Sequence, residues 1–188
     1  NSFPNLQIAL VGDFARQLEI ITAAELLISS AELPQAKAQL RSLETIQWNW
    51  DESGPRTWKG KLQEPELTVI FHFCSPVDFL WKKMAYTGSK AHLLSLVDDQ
   101  ETVAEKLNKK DYSSEAEFFA KNQLQFIPAE MREGFGEVEL AKENKIPKLL
   151  EDADLKGILH NHSTYSDGKH SLRQMAEHCR ALGYQYLG

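Results

Sequence analysis

Toward the start of the chain, apolar and polar positions repeat with a period near two, which is the signature of half-buried strands. Leu6-Gln7-Ile8-Ala9-Leu10-Val11 predicts a strand ending at Gly12. The apolar run from Ile20 to Ile28 fits strand or helix equally on pattern alone. Pro34 opens a helix whose apolar face is Ala36, Leu40 and Leu43. Three further strands are predicted over Thr45 to Trp50, Arg56 to Leu62 and Leu67 to Cys74, with Asp51-Glu52-Ser53-Gly54-Pro55 as a turn. In the last of these, Leu67, Val69, Phe71 and Phe73 share one face, and Thr68, Ile70, His72 and Cys74 share the other. The reading is a mixed sheet with one helix packed across it.

From Pro76 the period becomes helical. Short helices are predicted over Asp78 to Tyr86, Lys90 to Leu96, around Val103 to Leu107, and over Glu137 to Glu143. Another is opened by Ser114 with Glu117 as a capping box. The chain then returns to a strand at Leu155 to Leu159. A helix follows, capped by Ser171 and Gln174, with Leu172, Met175, Ala176, Cys179 and Leu182 on its apolar face and a stop at Gly183. Tyr184 to Leu187 predicts the next strand, which makes one βαβ step of a parallel sheet or barrel. The fold class is therefore α+β, in three pieces: 1–76, 77–150 and 151–188.

Composition narrows this picture. The 188 residues with 42% hydrophobic content allow one large or two small domains. No apolar run is long enough for a membrane span, and no signal peptide is recognised at the start. Cys74 and Cys179 are far apart and unpatterned, which suits a reducing cytoplasm. The net charge of −6 argues against wide contact with a nucleic-acid backbone, because such affinity comes from Lys and Arg neutralising phosphates. Asn at the first position and a strand cut short at Gly188 lead us to expect a piece of a longer protein.

The strongest chemical signal is His160-Asn161-His162-Ser163-Thr164-Tyr165-Ser166-Asp167-Gly168. Two His at i and i+2 on an extended segment point the same way. Asp167, on a Ser-Asp-Gly turn, can return a carboxylate toward them, and that ligand mixture suits Zn, Mn or Fe-type divalent ions. Three ligands do not close a site. Trp48, Trp50 and Trp58 could stack bases, but adjacent strands usually spend Trp on packing.

Three strings occur in a telling order: Thr87-Gly88-Ser89-Lys90-Ala91-His92, then Ile127-Pro128-Ala129-Glu130-Met131-Arg132-Glu133, then Gly157-Ile158-Leu159-His160-Asn161-His162-Ser163. In this order they resemble the bacterial and archaeal family X DNA polymerases that carry a C-terminal PHP (polymerase and histidinol phosphatase) domain. The resemblance implies a nucleotidyltransferase palm over 1–76, a helical thumb over 77–150 and the opening of a PHP barrel from 151. It does not extend to the family's N-terminal fingers region. It also implies DNA as partner and a role in DNA repair. For the intact PHP domain it implies a divalent metal (Zn, Mn or Mg), held in part by His160, His162 and Asp167. The family's other metal ligands come from later strands, so the site is expected to be incomplete here, with no cofactor bound to this piece. Ile158 also stands where the family often has Asp.

The departures matter more than the matches. Where the resemblance implies a Gly-Ser motif holding the triphosphate, the chain has Gly12-Asp13, a carboxylate where phosphate should sit. Like charges a few ångströms apart repel by several kcal/mol unless a cation intervenes. The three metal-binding aspartates of the family fall on Ala23, Glu25 and Ile70, and Tyr-Phe before Thr-Gly-Ser is Ala85-Tyr86. One carboxylate cannot clamp two Mg²⁺ ions for in-line attack. The expectation is a palm that does not polymerise, with Gly12, Asp13, Tyr86, Thr87, Gly88, Ser89 and Lys90 as remnants of a nucleotide- or DNA-binding surface. Activity of the intact parent would belong to its PHP domain, as a phosphoesterase or 3′–5′ exonuclease. The alternative is a scaffold or interaction module that has lost DNA binding as well.

Overall fold

The computed structural model describes residues 6–188; the first few positions of the 1–76 piece lie outside the described residues. The chain divides into two compact units, one ending at Ile146 and the other spanning Pro147–Gly188. In order, the first unit begins β1 (Gln7–Val11), α1 (Gly12–Ala15), β2 (Ala23–Ser29), α2 (Leu33–Arg41), β3 (Ile46–Asn49), β4 (Thr57–Gln63) and β5 (Glu66–Cys74). The helices α3 (Phe79–Thr87), α4 (Lys90–Leu94), α5 (Val103–Asn108), α6 (Glu115–Lys121) and α7 (Glu137–Lys142) complete it.

The five strands form one sheet in the order β1-β2-β5-β4-β3. Only the β2–β5 pair is parallel; the other neighbours run antiparallel. The ambiguous Ile20–Ile28 run resolves as strand from Ala23, leaving Ile20 outside and exposed. Its Leu27 and Ile28 are buried, with β1 and β5 on either side, a setting that favours pleat over helix. Leu43 falls beyond the end of α2 and is exposed, so the helix buries Ala36 and Leu40 only. Period two decides the faces of β5. Val69, Phe71 and Phe73 are buried with Ile28, Leu40 and Ile46 in the core that α2 covers, while Cys74 joins Val11 and Leu27 behind the sheet. Trp48 and Trp58 pack against the first of these cores. Trp50 stays more exposed, stacked on Trp48 beneath the Arg41 guanidinium.

The helices bury a third core built from Met84, Val103, Leu107, Phe118, Phe119, Ile127 and Val138. Ser114 caps α6 by accepting from Glu117 N, but the box expected there is half made: the Glu117 carboxylate turns back to Ser113 instead. Thr102 and Glu105 form the full box, on α5.

In the second unit β6 (Gly157–Ile158) and β7 (Tyr186–Leu187) pair in parallel across α8 (Leu172–Ala181). Ser171 and Gln174 make the expected capping box. Gly183, at φ +81°, ends the helix, because only glycine takes that conformation without strain. The strand expected over Leu155 to Leu159 is shorter. It stops at Ile158 because the chain turns at His160, whose φ is +60°. Cys179 is buried on α8, whereas Leu172 and Leu182 are exposed. Among the described residues no helix is long and apolar enough to cross a membrane.

Candidate functional site

The register of the sheet places the three positions of interest together. Glu25 on β2 is the direct partner of Ile70 on β5, and Ala23, two residues earlier, is opposite Thr68. Side chains two apart share a face, so Ala23, Glu25 and Ile70 line one side of two adjacent strands. The rows continue outward as Thr68–Lys61–Gln47 and Ile70–Lys59–Asn49. Of the three positions only Glu25 carries a charge.

That charge is already engaged. The Glu25 carboxylate lies 2.8 Å from Nε2 of His72, the next residue along the same face of β5. The other ring nitrogen of His72 is 3.3 Å from the Thr57 hydroxyl, so both nitrogens have partners. The Tyr86 ring of α3 stacks on the imidazole, with centroids 4.2 Å apart at 15°. Burial pushes the Tyr86 phenol above its ordinary range. Gly12 approaches from β1: a Cβ on it would sit 2.5 Å from a Glu25 carboxylate oxygen, and its φ is +66°. The positive φ favours glycine here, and a Cβ would also push the Glu25 carboxylate aside.

Arg16 lies one turn along α1 and is buried. Its guanidinium meets Asp13 Oδ1 at 2.6 Å and Glu133 Oε1 at 2.5 Å, and donates to the Thr87 carbonyl at 2.7 Å. The repulsive carboxylate expected at Asp13 is thus corrected: a cation of the chain's own compensates it. A guanidinium presents several donors in a fixed fork, which lets it serve three acceptors at once.

The Thr87–His92 string packs against the Arg132–Glu137 turn. Ser89 N donates to the Arg132 carbonyl, the Ser89 hydroxyl caps α4 by accepting from His92 N, and Lys90 remains exposed. A Cβ on Gly88 would come within 2.8 Å of the His92 ring. His92 is buried, with Nδ1 2.6 Å from Glu137 Oε1, and that carboxylate also accepts from the amides of Gly134 and Phe135. Burial lowers the His92 pKa beyond what Glu137 restores. Burial would raise Glu137, but the bonds from His92 and the backbone outweigh it and hold the carboxyl below its usual range. The pair is therefore a neutral imidazole donating to a carboxylate. Arg132, also buried, donates to the Ile127 carbonyl and to Glu115. Two of the three strings singled out in the sequence thus meet around buried hydrogen bonds.

In the second unit the His160 and His162 rings stack with centroids 5.5 Å apart. His162 Nδ1 is hydrogen-bonded to the Asp167 carboxylate, which this contact holds below its ordinary pKa. Gly168 makes the loop possible, since a Cβ there would collide with the His162 carbonyl. All three candidate ligands are exposed. Among the described residues no group of three or more His, Cys, Asp or Glu side chains is gathered to hold a metal ion. Asp167 and His162 are spent on each other, and the set as it stands does not fit a closed divalent site.

Sequence reasoning missed Arg16, His72, Glu133 and Glu137 as members of these clusters. Two were within reach: Arg16 is at i+3 from Asp13 on a helix, and His72 shares the face of Ile70 by period two. No local signal marks Glu133, whose partner lies 117 residues away.

No family model matches the chain. In sequence it is similar to the DNA polymerase/3′-5′ exonuclease PolX of Bacillus subtilis (strain 168), at 29% identity over 193 residues, covering 97% of this chain and 34% of that protein. The chain therefore spans about a third of the length of the curated relative it matches. Among solved structures it is similar to Leishmania infantum polymerase beta in a ternary P/T complex. That match has a TM-score of 0.49 and 15% identity, covering 69% of this chain and 68% of the other. Over nearly its whole length, the chain is similar in sequence to a family X DNA polymerase.

Proposed function

We propose that this chain is the palm and thumb of a family X-like protein, holding DNA without extending it, followed by the opening of a PHP domain. The observation that carries the reading is the occupied Glu25. Nucleotidyl transfer needs two divalent ions clamped between attacking and leaving oxygens. The three positions that would hold them supply one carboxylate, and its oxygen is 2.8 Å from His72. Arg16 fills the cationic role beside Asp13 and ties α1 to Thr87 and Glu133. These residues do not fit a two-metal site, and no step through a metal follows from them.

DNA holding is supported by the sequence relationship and by the polar face of the sheet. Gln47, Asn49, Lys59, Lys61 and Thr68 line an open cavity of about 620 Å³ beside Ala23 and Glu25. Lys59 and Lys61 are paired with Glu52 and Glu66. Phosphate contact there would exchange partners, and binding would be weak and sensitive to salt. In the intact parent, phosphodiester hydrolysis would belong to the PHP domain, with His160, His162 and Asp167 as part of a larger ligand set.

The test is a mobility shift of gapped DNA by the 188-residue chain across a salt series. The expected result is retention at low salt that weakens steeply as salt rises, with a shallower slope in Lys59→Ala and Lys61→Ala. No retention at the lowest salt would replace this reading with that of an interaction module, which the net charge of −6 favours.

A further inference from the structure

A second cavity of the first unit, of about 170 Å³, adjoins the Glu25 cluster where β5 runs into α3. Its walls come from Leu33 at the start of α2, Pro55 and Arg56 before β4, Phe73, Cys74 and Ser75, and Asp78 and Lys82. Lys82 is 9% exposed, yet among the described residues its ammonium has no ion pair and no hydrogen bond. The ring centroids of Trp81 and Tyr86 lie 5.6 and 5.9 Å from it. The Lys82 stem is buried while its ammonium stays in reach of water, open to an anionic partner. Arg56, an exposed residue also without an acidic partner among the described residues, lines the same cavity.

The other polar groups on the wall do not neutralise these two cations. The Asp78 carboxylate accepts from Lys110 at 2.7 Å, Trp81 Nε1 at 2.8 Å and the Ser75 hydroxyl at 2.7 Å, so its charge is already spent. Those bonds hold the carboxyl well below its usual range. Burial pushes the Cys74 thiol up, which keeps it uncharged. A third cation stands at the edge, since Lys37 donates to the Pro55 carbonyl and lies 4.4 Å from the Phe73 ring centroid. The cavity thus combines a surplus of positive charge with the apolar walls of Leu33, Pro55 and Phe73.

We propose that this cavity is a site for a phosphate group, held between Lys82 Nζ and the Arg56 guanidinium. The size sets the class of ligand. Sites that enclose a whole drug-sized molecule run to several hundred Å³. About 170 Å³ takes a tetrahedral oxyanion or the terminal phosphate of a larger molecule that remains outside. A phosphate offers three or four acceptor oxygens to a point charge on one side and a planar fork on the other. Lys82 then gains the partner it lacks.

The test titrates inorganic phosphate into the 188-residue chain at near-physiological salt, reading heat and thermal midpoint. Saturable binding with a raised midpoint is expected. Lys82→Met, which keeps the apolar stem, and Arg56→Gln, at an exposed position, should each weaken it about tenfold or more, the cost of a lost charged hydrogen bond. If Lys82→Met does not fold, Arg56→Gln decides. Two further arms separate the source. A 5′-phosphorylated oligonucleotide that binds better than its unphosphorylated twin, and is displaced by phosphate, assigns the site to a nucleic-acid end. Equal behaviour of the two oligonucleotides, with phosphate still bound, assigns it to free phosphate or a small phosphate monoester. No saturable effect of phosphate, or an effect unchanged in the variants, overturns the proposal.

Discussion

The sheet of the first unit and the loop of the second both set a histidine against a carboxylate, and they treat the pair in opposite ways. His72 and Glu25 have side chains 12% and 26% exposed, and the imidazole is fixed from three sides by Glu25, Thr57 and Tyr86. His162 and Asp167 are 52% and 81% exposed, and His160 stacks beside them with its outer face in water. A charge with every partner supplied by the protein has little left to offer a ligand. A charge in water exchanges partners freely. Position on the sheet therefore says less about function than how completely a group is already satisfied.

The largest effect should come from removing the cation of the closed cluster. Arg16→Ala leaves the carboxylates of Asp13 and Glu133 facing each other and strips a donor from the Thr87 carbonyl. Breaking a fully buried pair costs about 3–5 kcal/mol. Asp13 is 32% exposed and partly screened by water, which reduces the expected loss to about 2–3 kcal/mol. Urea unfolding read by tryptophan fluorescence measures it for this unit, because Trp48, Trp50, Trp58 and Trp81 all lie before Ile146. A loss too small to measure would mean that the cluster is not closed.

A smaller effect follows from pH. His92 has a folded pKa below its ordinary 6.5, so the unfolded chain takes up the proton first. Glu137 is held below its ordinary 4.5, and its contribution is lost lower down, as pH falls through its folded value. Stability of the first unit should fall as pH drops from 6.5, by at most about 1.4 kcal/mol per pH unit for each proton. His92→Asn should flatten the upper part of that slope. A slope unchanged in the variant would assign it to other groups.

Least of all should follow from the open pair. His162→Ala should leave the tryptophan-detected midpoint where it was, since the side chain is solvated and lies in the other unit. A clear shift would show that the loop does structural work for the rest of the chain.

Much of this contrast was legible in the sequence. Period two placed Ile70 and His72 on one face, and the turn after His162 put Asp167 within reach. The ladder register that makes Glu25 the neighbour of Ile70 joins residues 45 apart, and no local pattern encodes it. Arg16 reads alone as one more surface arginine. Its burial depends on Glu133 and the Thr87 carbonyl arriving from distant elements. The strand expected over Leu155 to Leu159 came out shorter for a related reason, because ladder pairing of β6 ends at Ile158.

The central claim is that the Glu25 face of the sheet is chemically closed. Templated primer extension by the 188-residue chain, with Mg²⁺ or Mn²⁺ and all four deoxynucleotides, tests it most directly. The account predicts no templated incorporation, from wild type and from Glu25→Gln alike. Templated extension by the wild type that is lost in Glu25→Gln would contradict it.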